Sequence, residues 1–438
     1  SVGPGKNLHR NVIFRNEKVP HLPVNWIDTP SAFDLWQSLQ AKCLDGLPGC
    51  DVLTIPHNSN LSGGLIFETA RISDAEVPGP IDTEEARLRS RWEPLVEIMQ
   101  HKGSSECDLR AGWSNDESCG FEKLPYDSFG GKNPILADPE LPNESNFVRY
   151  ALKQGLLQQR DLGANAFRYG VIASTDTHIA APGLTKEKDH PGHGGAGMAA
   201  NEIAIQGLPD DIELGPGGLA VLWAEENTRD ALFAAMQRHE TYGTSGTRPI
   251  VRFFGGWNYP ENLCEDPAFV EKGYASGVPM GGELGPADPA NATRAPRFAV
   301  WAMQDPGTTA DAGAPLQRIQ LIKGWIEGDQ TRERVIDVAG GENDAGVDPR
   351  TCERRGAGAS SLCSVWVDPD FDPEVPSFYY ARVLENPSCR WSQYACNAAG
   401  VNCQEPESVP EPLAVCCSAE YPATIQERAW TSPIWYTP

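Results

Sequence analysis

Ser174, Thr175, Asp176, Thr177 and His178 put a carboxylate and an imidazole two residues apart, and an earlier run from Ile55 to Asn60 adds the imidazole of His57. Each cluster follows a short apolar run, 169–173 before the first and 51–55 before the second. Buried strands ending in Asp and His place those side chains at the C-terminal rim of a parallel sheet, where barrel enzymes keep their chemistry. A carboxylate and an imidazole at that spacing can turn toward one ion. The alternative is a satisfied turn, with Asp176 capping the next segment and His178 on the surface. Two clusters at two strand ends favour the ion.

Further residues fit around that centre. Glu97 lies at the end of the apolar run 94–99, where its carboxylate can complete or bridge a site or form a buried pair with an arginine. His9 stands just ahead of a strand, as a ligand or as a surface residue. His193 lies in a Gly-rich stretch, 191–197, where backbone N–H groups can meet an anion and the imidazole can donate a proton; otherwise it is a loop residue. Arg10, Lys102 and Arg248 are cations near strand ends that can neutralise an anionic leaving group, or simply be solvated or ion-paired. Asp, Glu and His ligands without thiolate suit a catalytic Zn²⁺, Mn²⁺ or Fe²⁺ ion, which would activate a bound water. A G-x-S-x-G elbow, a phosphate-binding P-loop and a dinucleotide fingerprint are all missing. Paired acids of a glycosidase cannot be read without a fold.

The elements that must position these groups alternate over residues 1–248. Strands are expected at Asn11–Phe14, Asp51–Ile55, Leu95–Met99, Tyr169–Ala173, Leu219–Trp223 and Thr241–Thr244. Helices are expected near Ala32–Cys43, Thr83–Trp92, Ser145–Asp161 and Thr228–His239, the last with Asn227 as its N-cap. That alternation predicts an α/β layer or barrel with parallel strands. Long loops at 103–143 and 179–216 are expected on the catalytic rim. Over 249–438 the texture changes to strands without intervening helices (250–254, 297–302, 318–323, 333–337 and 378–383). A second, antiparallel β-rich domain with cysteine-containing loops is the expectation.

A formal charge of −24 leaves no basic footprint for nucleic acid and disfavours an anionic membrane surface. An anionic substrate stays open, because a bound divalent ion reverses the local field. No apolar stretch is long enough to span a bilayer. Twelve cysteines without a C-x-x-C pair suit disulfides in an oxidising compartment, periplasmic or secreted; inert buried thiols in a cytosolic protein are the alternative. Close in sequence are Cys43 with Cys50, Cys107 with Cys119 and Cys352 with Cys363, and Cys389, Cys396, Cys403, Cys416 and Cys417 form a C-terminal group.

Several long motifs resemble the DUF3604 family: 7–15, 55–60, 96–100 with Lys102, Gly103, Ser105 and Glu106, 174–178, 192–195, 224–229, 319–325 and 429–435. That family is similar to the PHP (polymerase and histidinol phosphatase) superfamily of metal-dependent phosphoesterases. The resemblance implies a distorted PHP-like β/α barrel around two or three metal ions. It implies that His57 matches the third superfamily motif and that Asp176 and His178 match the final D-x-H motif. The H-x-H and D-H motifs of the first two strands are absent from these residues, so the barrel is expected to lack its first strands here, with a separate N-terminal segment able to complete it.

The expected function is therefore a metal-dependent hydrolase whose ion-activated water attacks a phosphoester or related anionic ester. His57, Asp176, His178, Glu97 and His9 are the expected ligands of two or more divalent ions (Mn, Zn or Fe). His193, Glu97, Arg10 and Lys102 are expected to act on a small-molecule or carbohydrate anionic substrate. A homo-oligomer is compatible with this. One rival is a metal-dependent glycosidase or sulfatase acting on extracellular carbohydrate, with Trp113 and Trp223 lining its cleft. The other is a non-catalytic binding protein with an incomplete metal site.

Overall fold

The apolar runs become strands because their side chains have a core on both faces. The computed structural model describes residues 6–25, 27–72, 79–127, 141–195, 205–288, 295–309 and 311–438. The N-terminal strands are β1 (Arg10–Phe14), β2 (Val52–Pro56), β3 (Leu95–Gln100), β4 (Gly103–Ser104), β5 (Gly170–Ala173), β6 (Leu219–Leu222) and β7 (Thr241–Thr244). Every residue of β2, β3 and β5 is buried. The helices are α1 (Ala32–Leu39), α2 (Thr83–Trp92), α3 (Val148–Leu162) and α4 (Arg229–Gln237). Thr228, not Asn227, caps α4, its side chain accepting from the Ala231 N–H.

The strands do not close the expected parallel ring. β3 and β5 pair in parallel, but β1 and β2 pair antiparallel. β6 and β7 also pair antiparallel and belong to an eight-stranded sheet built largely from the second half of the chain. Among the described residues no barrel ladder is present. The reason lies at the free edge of β5. There Thr241 Oγ1 donates to the Val171 carbonyl (2.9 Å) and the Val171 N–H donates to Ser432 Oγ (2.8 Å). Side-chain hydroxyls thus satisfy backbone groups that a further parallel strand would have taken. Gly243 of β7 lies so close that a Cβ there would meet the Ile172 carbonyl carbon at 2.8 Å.

The second half supplies β8 (Ile250–Gly256), β9 (Gly277–Pro279), β10 (Glu283–Leu284), β11 (Arg297–Met303), β12 (Leu316–Glu327), β13 (Gln330–Gly340), β14 (Ser361–Val367), β15 (Ser377–Glu385), β16 (Arg428–Thr431) and β17 (Ile434–Tyr436). It is β-rich and mainly antiparallel, as its period-two patterning predicts. β14, β11, β8 and β9 form a four-stranded sheet, while β12, β13, β15, β16 and β17 join β6, β7 and β10. One apolar cluster runs from Val96, Leu152 and Phe167 to Ile322, Phe378 and Trp430, so both halves contribute to a common core. Beside it Arg149 and Arg382 are buried between Glu106 and Asp116, with contacts of 2.6 to 3.1 Å.

All twelve cysteines are paired: Cys43–Cys50, Cys107–Cys119, Cys264–Cys363, Cys352–Cys389, Cys396–Cys416 and Cys403–Cys417. Cys352 and Cys363, neighbours in sequence, bond to different partners. Six disulfides are the mark of an oxidising compartment. No helix among the described residues is long and apolar enough to cross a membrane.

Candidate functional site

Antiparallel pairing of β1 with β2 has a consequence for chemistry. The register sets Arg10 opposite Pro56, so the start of β1 lies beside the end of β2. His9 and His57 therefore meet: the His57 N–H donates to the His9 carbonyl (3.3 Å) and the rings lie 5.1 Å apart. A parallel β1 would have left His9 at the opposite rim. The parallel pair β3 and β5 brings the turn after β3, which holds His101 and Lys102, to the end where Asp176 follows β5. Asp176 has φ +52°, a left-handed conformation that Asp tolerates better than most residues.

The strand ends are stitched together by amides. Asn58 Nδ2 donates to the Gly103 carbonyl (3.0 Å) and Asn60 Nδ2 to the Lys102 carbonyl (2.8 Å). Glu97 accepts from Asn11 Nδ2 (3.0 Å), the Asn58 N–H (2.9 Å) and Gln100 Nε2 (3.2 Å), tying β1, β2 and β3 at one point. Burial pushes the Glu97 carboxyl up to about 7, against the Asn58 hydrogen bond. Lys102 is buried, its ammonium donating to the Asn58 and Asn60 carbonyls (3.4 and 3.3 Å) and lying 3.5 Å from His57 Nε2. Burial lowers it to about 8, while Asp176 and Glu97 favour the charged form.

Two histidines share one arrangement. His57 Nε2 is 2.7 Å from Asn7 Oδ1, and His101 Nε2 is 3.3 Å from Asp176 Oδ2. With Nε2–H donating in each case, Nδ1 carries the lone pair, and both Nδ1 atoms are buried without a hydrogen-bond partner among the described residues. Burial holds His101 down to about 4, and burial with the Lys102 charge holds His57 well below its ordinary value, so both rings are neutral near pH 7. Burial would raise Asp176, but the His101 hydrogen bond, with the Lys102 charge nearby, holds it at about 2. Neutral imidazoles and an ionised carboxylate are the forms that bind metal ions.

His193 completes the rim. Its ring stacks on His101, and its Nδ1 lies 2.8 Å from Asp210 Oδ2, which also meets His190 Nε2 (3.1 Å) and the His193 N–H (2.9 Å). His178 is exposed, and its backbone N–H donates to the His193 carbonyl (2.7 Å); its ring makes no polar contact among the described residues. Arg10 is ion-paired with Glu93 at 2.9 Å. Arg248 is exposed, its N–H donating to Asp305 Oδ2 (2.8 Å). Trp113 packs on Phe147, and Trp223 lies under the Arg252 guanidinium with its Nε1–H given to the Val251 carbonyl. Of the Gly-rich stretch, 196 and 197 lie outside the described residues, as do 128–140 of the first long loop and 198–204 of the second.

Sequence reasoning missed His101, Asp210, His190, Asn58 and Asn60. His101 carried a usable signal, since it follows a strand that ends on the same rim. Asp210 carried none, standing 17 residues from His193 in a loop.

The donor set suits a divalent ion: free Nδ1 atoms on His57 and His101, each ring held through Nε2 by an oxygen, with Asp176 and the exposed His9 nearby. Only one group of three ligand atoms within 4.8 Å of one another occurs among the described residues, Cys107, Asp116 and Cys119, and its sulfurs are joined in a disulfide. No such group of three is found at the rim among the described residues.

The profile of a family described as a protein of unknown function, DUF3604, matches residues 1–438. No curated protein and no solved structure matches the chain.

Proposed function

The chain belongs to the DUF3604 family, and we propose that it is a metal-dependent hydrolase of phosphoesters or related anionic esters, akin to the PHP phosphoesterases. The observation that carries this reading is the matched pair of buried, neutral imidazoles, His57 and His101, each with a free Nδ1. Asp176 supplies the nearby negative charge. A divalent ion (Mn, Zn or Fe) held by these residues would supply an activated water. His9 sits where it can join as a ligand from the open side.

The remaining residues divide the work of holding a substrate. Lys102 presents a buried positive charge to an anionic group, and its low-dielectric setting strengthens that attraction. His193, fixed by Asp210, can donate a hydrogen bond or a proton to a leaving oxygen. Glu97, engaged by three donors, holds the strand ends in register and is not needed as a ligand. Arg10 is committed to Glu93 and His178 to the surface, so neither has a part in this proposal.

The test is a panel of nitrophenyl phosphate, phosphodiester, sulfate and glycoside substrates with added Mn²⁺ or Zn²⁺, run on wild type and on a His57→Ala, His101→Ala double variant. Phosphoester turnover that the double variant abolishes supports the reading. Turnover of a glycoside alone, or turnover indifferent to the double substitution, overturns it.

A further inference from the structure

Away from the histidines, β15 and β16 bring two acids together. Leu384 pairs with Arg428, so the next residues outward, Glu385 and Glu427, lie opposite one another, and the Glu385 N–H donates to the Glu427 carbonyl (2.9 Å). Side chains directly opposite on adjacent strands are neighbours, and like charges there repel. Glu385 is 0% exposed and Glu427 3%. The Glu385 oxygens are buried, and the hydroxyl beside them is that of Thr247, whose hydrogen bond favours the ionised carboxyl. Glu427 accepts from Ser245 Oγ. Both acids open onto a cleft of about 470 Å³, whose wall also carries Glu187 with one oxygen buried and unpartnered.

An isolated buried carboxylate costs several kcal/mol unless it is protonated or meets a cation. Burial lifts both carboxyls to about 8, and the Glu385 charge adds to the rise at Glu427. The nearest basic groups do not serve as partners. Arg354 is exposed and donates to the Ala312 carbonyl; Arg428 donates to the Gln426 and Ser118 carbonyls. The cleft wall sets Glu187, Asp305, Asp311, Glu385 and Glu427 against Lys186, Lys188, Arg248 and Arg354. Among the described residues no imidazole lines it, and its two cysteines, Cys352 and Cys389, are joined in a disulfide, so the ligand atoms it offers a cation are oxygens. Oxygen-only sets of carboxylates, hydroxyls, carbonyls and water are those of calcium.

We propose that Glu385 and Glu427, with the Thr247 hydroxyl and the Glu187 wall, form a second divalent-cation site of the calcium type, separate from the His57 and His101 centre. Among the described residues no three acidic ligand atoms here lie within 4.8 Å of one another, so the ion would take two carboxylates and complete its shell with hydroxyl, carbonyl and water oxygens.

Equilibrium dialysis with radioactive calcium on the full chain tests this. Wild type is expected to bind one ion per chain; Glu385→Gln and Glu427→Gln should each weaken binding by about tenfold or more, since calcium affinity follows ligand charge. His57→Ala should bind as wild type does. Thermal unfolding gives the companion reading: calcium should raise the melting temperature of wild type and not of Glu385→Gln, while without calcium the variant should melt at or above wild type, having lost a buried acid without a cationic partner. No saturable calcium binding by wild type, binding undiminished in both Gln variants, or a melting temperature indifferent to calcium would each overturn the proposal in favour of a shared proton.

Discussion

The imidazole of His101 lies flat on that of His193, ring centres 4.1 Å apart and planes 16° from parallel. Each ring is held from its far side by its own carboxylate, Asp176 for one and Asp210 for the other. The stack joins a rigid turn between two strands to a Gly-rich loop 92 positions later in the chain (193 − 101). Three expectations concern this rim.

Asp210→Asn removes the charge that holds His193 and His190 while keeping its shape. Activity should fall by roughly 10- to 100-fold, the usual cost of losing an orienting partner. Circular dichroism should be unchanged. Steady-state kinetics should show the loss in kcat more than in KM, and an unaltered kcat would remove His193 from the chemistry.

His101→Ala should weaken Mn²⁺ or Zn²⁺ binding by isothermal titration, and His57→Ala should do the same. His178→Ala should leave it unchanged within about twofold, a difference of ~0.4 kcal/mol, because that ring stands in solvent. Equal losses for His178 and His101 would mean the D-x-H reading is right and the free Nδ1 argument wrong.

Asp176→Asn should fold, because Asn accepts the left-handed backbone at this position, whereas Asp176→Val should be strained by roughly 1–3 kcal/mol. Both should lose metal affinity. Chemical denaturation separates the two effects.

The buried Arg149, Arg382, Glu106 and Asp116 network governs acid stability. Burial alone would raise the Glu106 carboxyl, but Arg382 and Arg149 outweigh it and hold it at about 2; the same two arginines depress Asp116. Folded values below unfolded ones mean that this stabilisation is fully present above the ordinary carboxyl value near 4. It should be lost as pH falls from there toward about 2. Glu106→Ala leaves two guanidinium groups short of a partner and should cost about 3–5 kcal/mol by urea unfolding at pH 7. A loss under ~1 kcal/mol would show that the network is redundant.

Disulfide loss should scale with the loop closed. Removing Cys264–Cys363, 99 residues apart, should cost about 4–5 kcal/mol; removing Cys43–Cys50, 7 apart, about 2. Equal costs in paired double-alanine variants would argue against a chain-entropy origin.

What the sequence determined by itself was local. Apolar runs with a core on both faces, such as 52–56 and 95–100, announce strands whatever surrounds them, and the helix expected near Thr83–Trp92 forms as α2. His57 and Asp176 were legible because they follow such runs, and twelve cysteines pointed to an oxidising setting. Tertiary structure alone decided direction and partnership. Nothing in 10–14 says that β1 runs against β2, yet that choice places His9 beside His57. Nothing near 176 says that its carboxylate meets His101 and leaves His178 in solvent, because the contact crosses 75 residues. Hydrogen bonds and ring contacts reach only a few ångströms, so which distant groups they join is fixed when the strands pack and not by spacing along the chain.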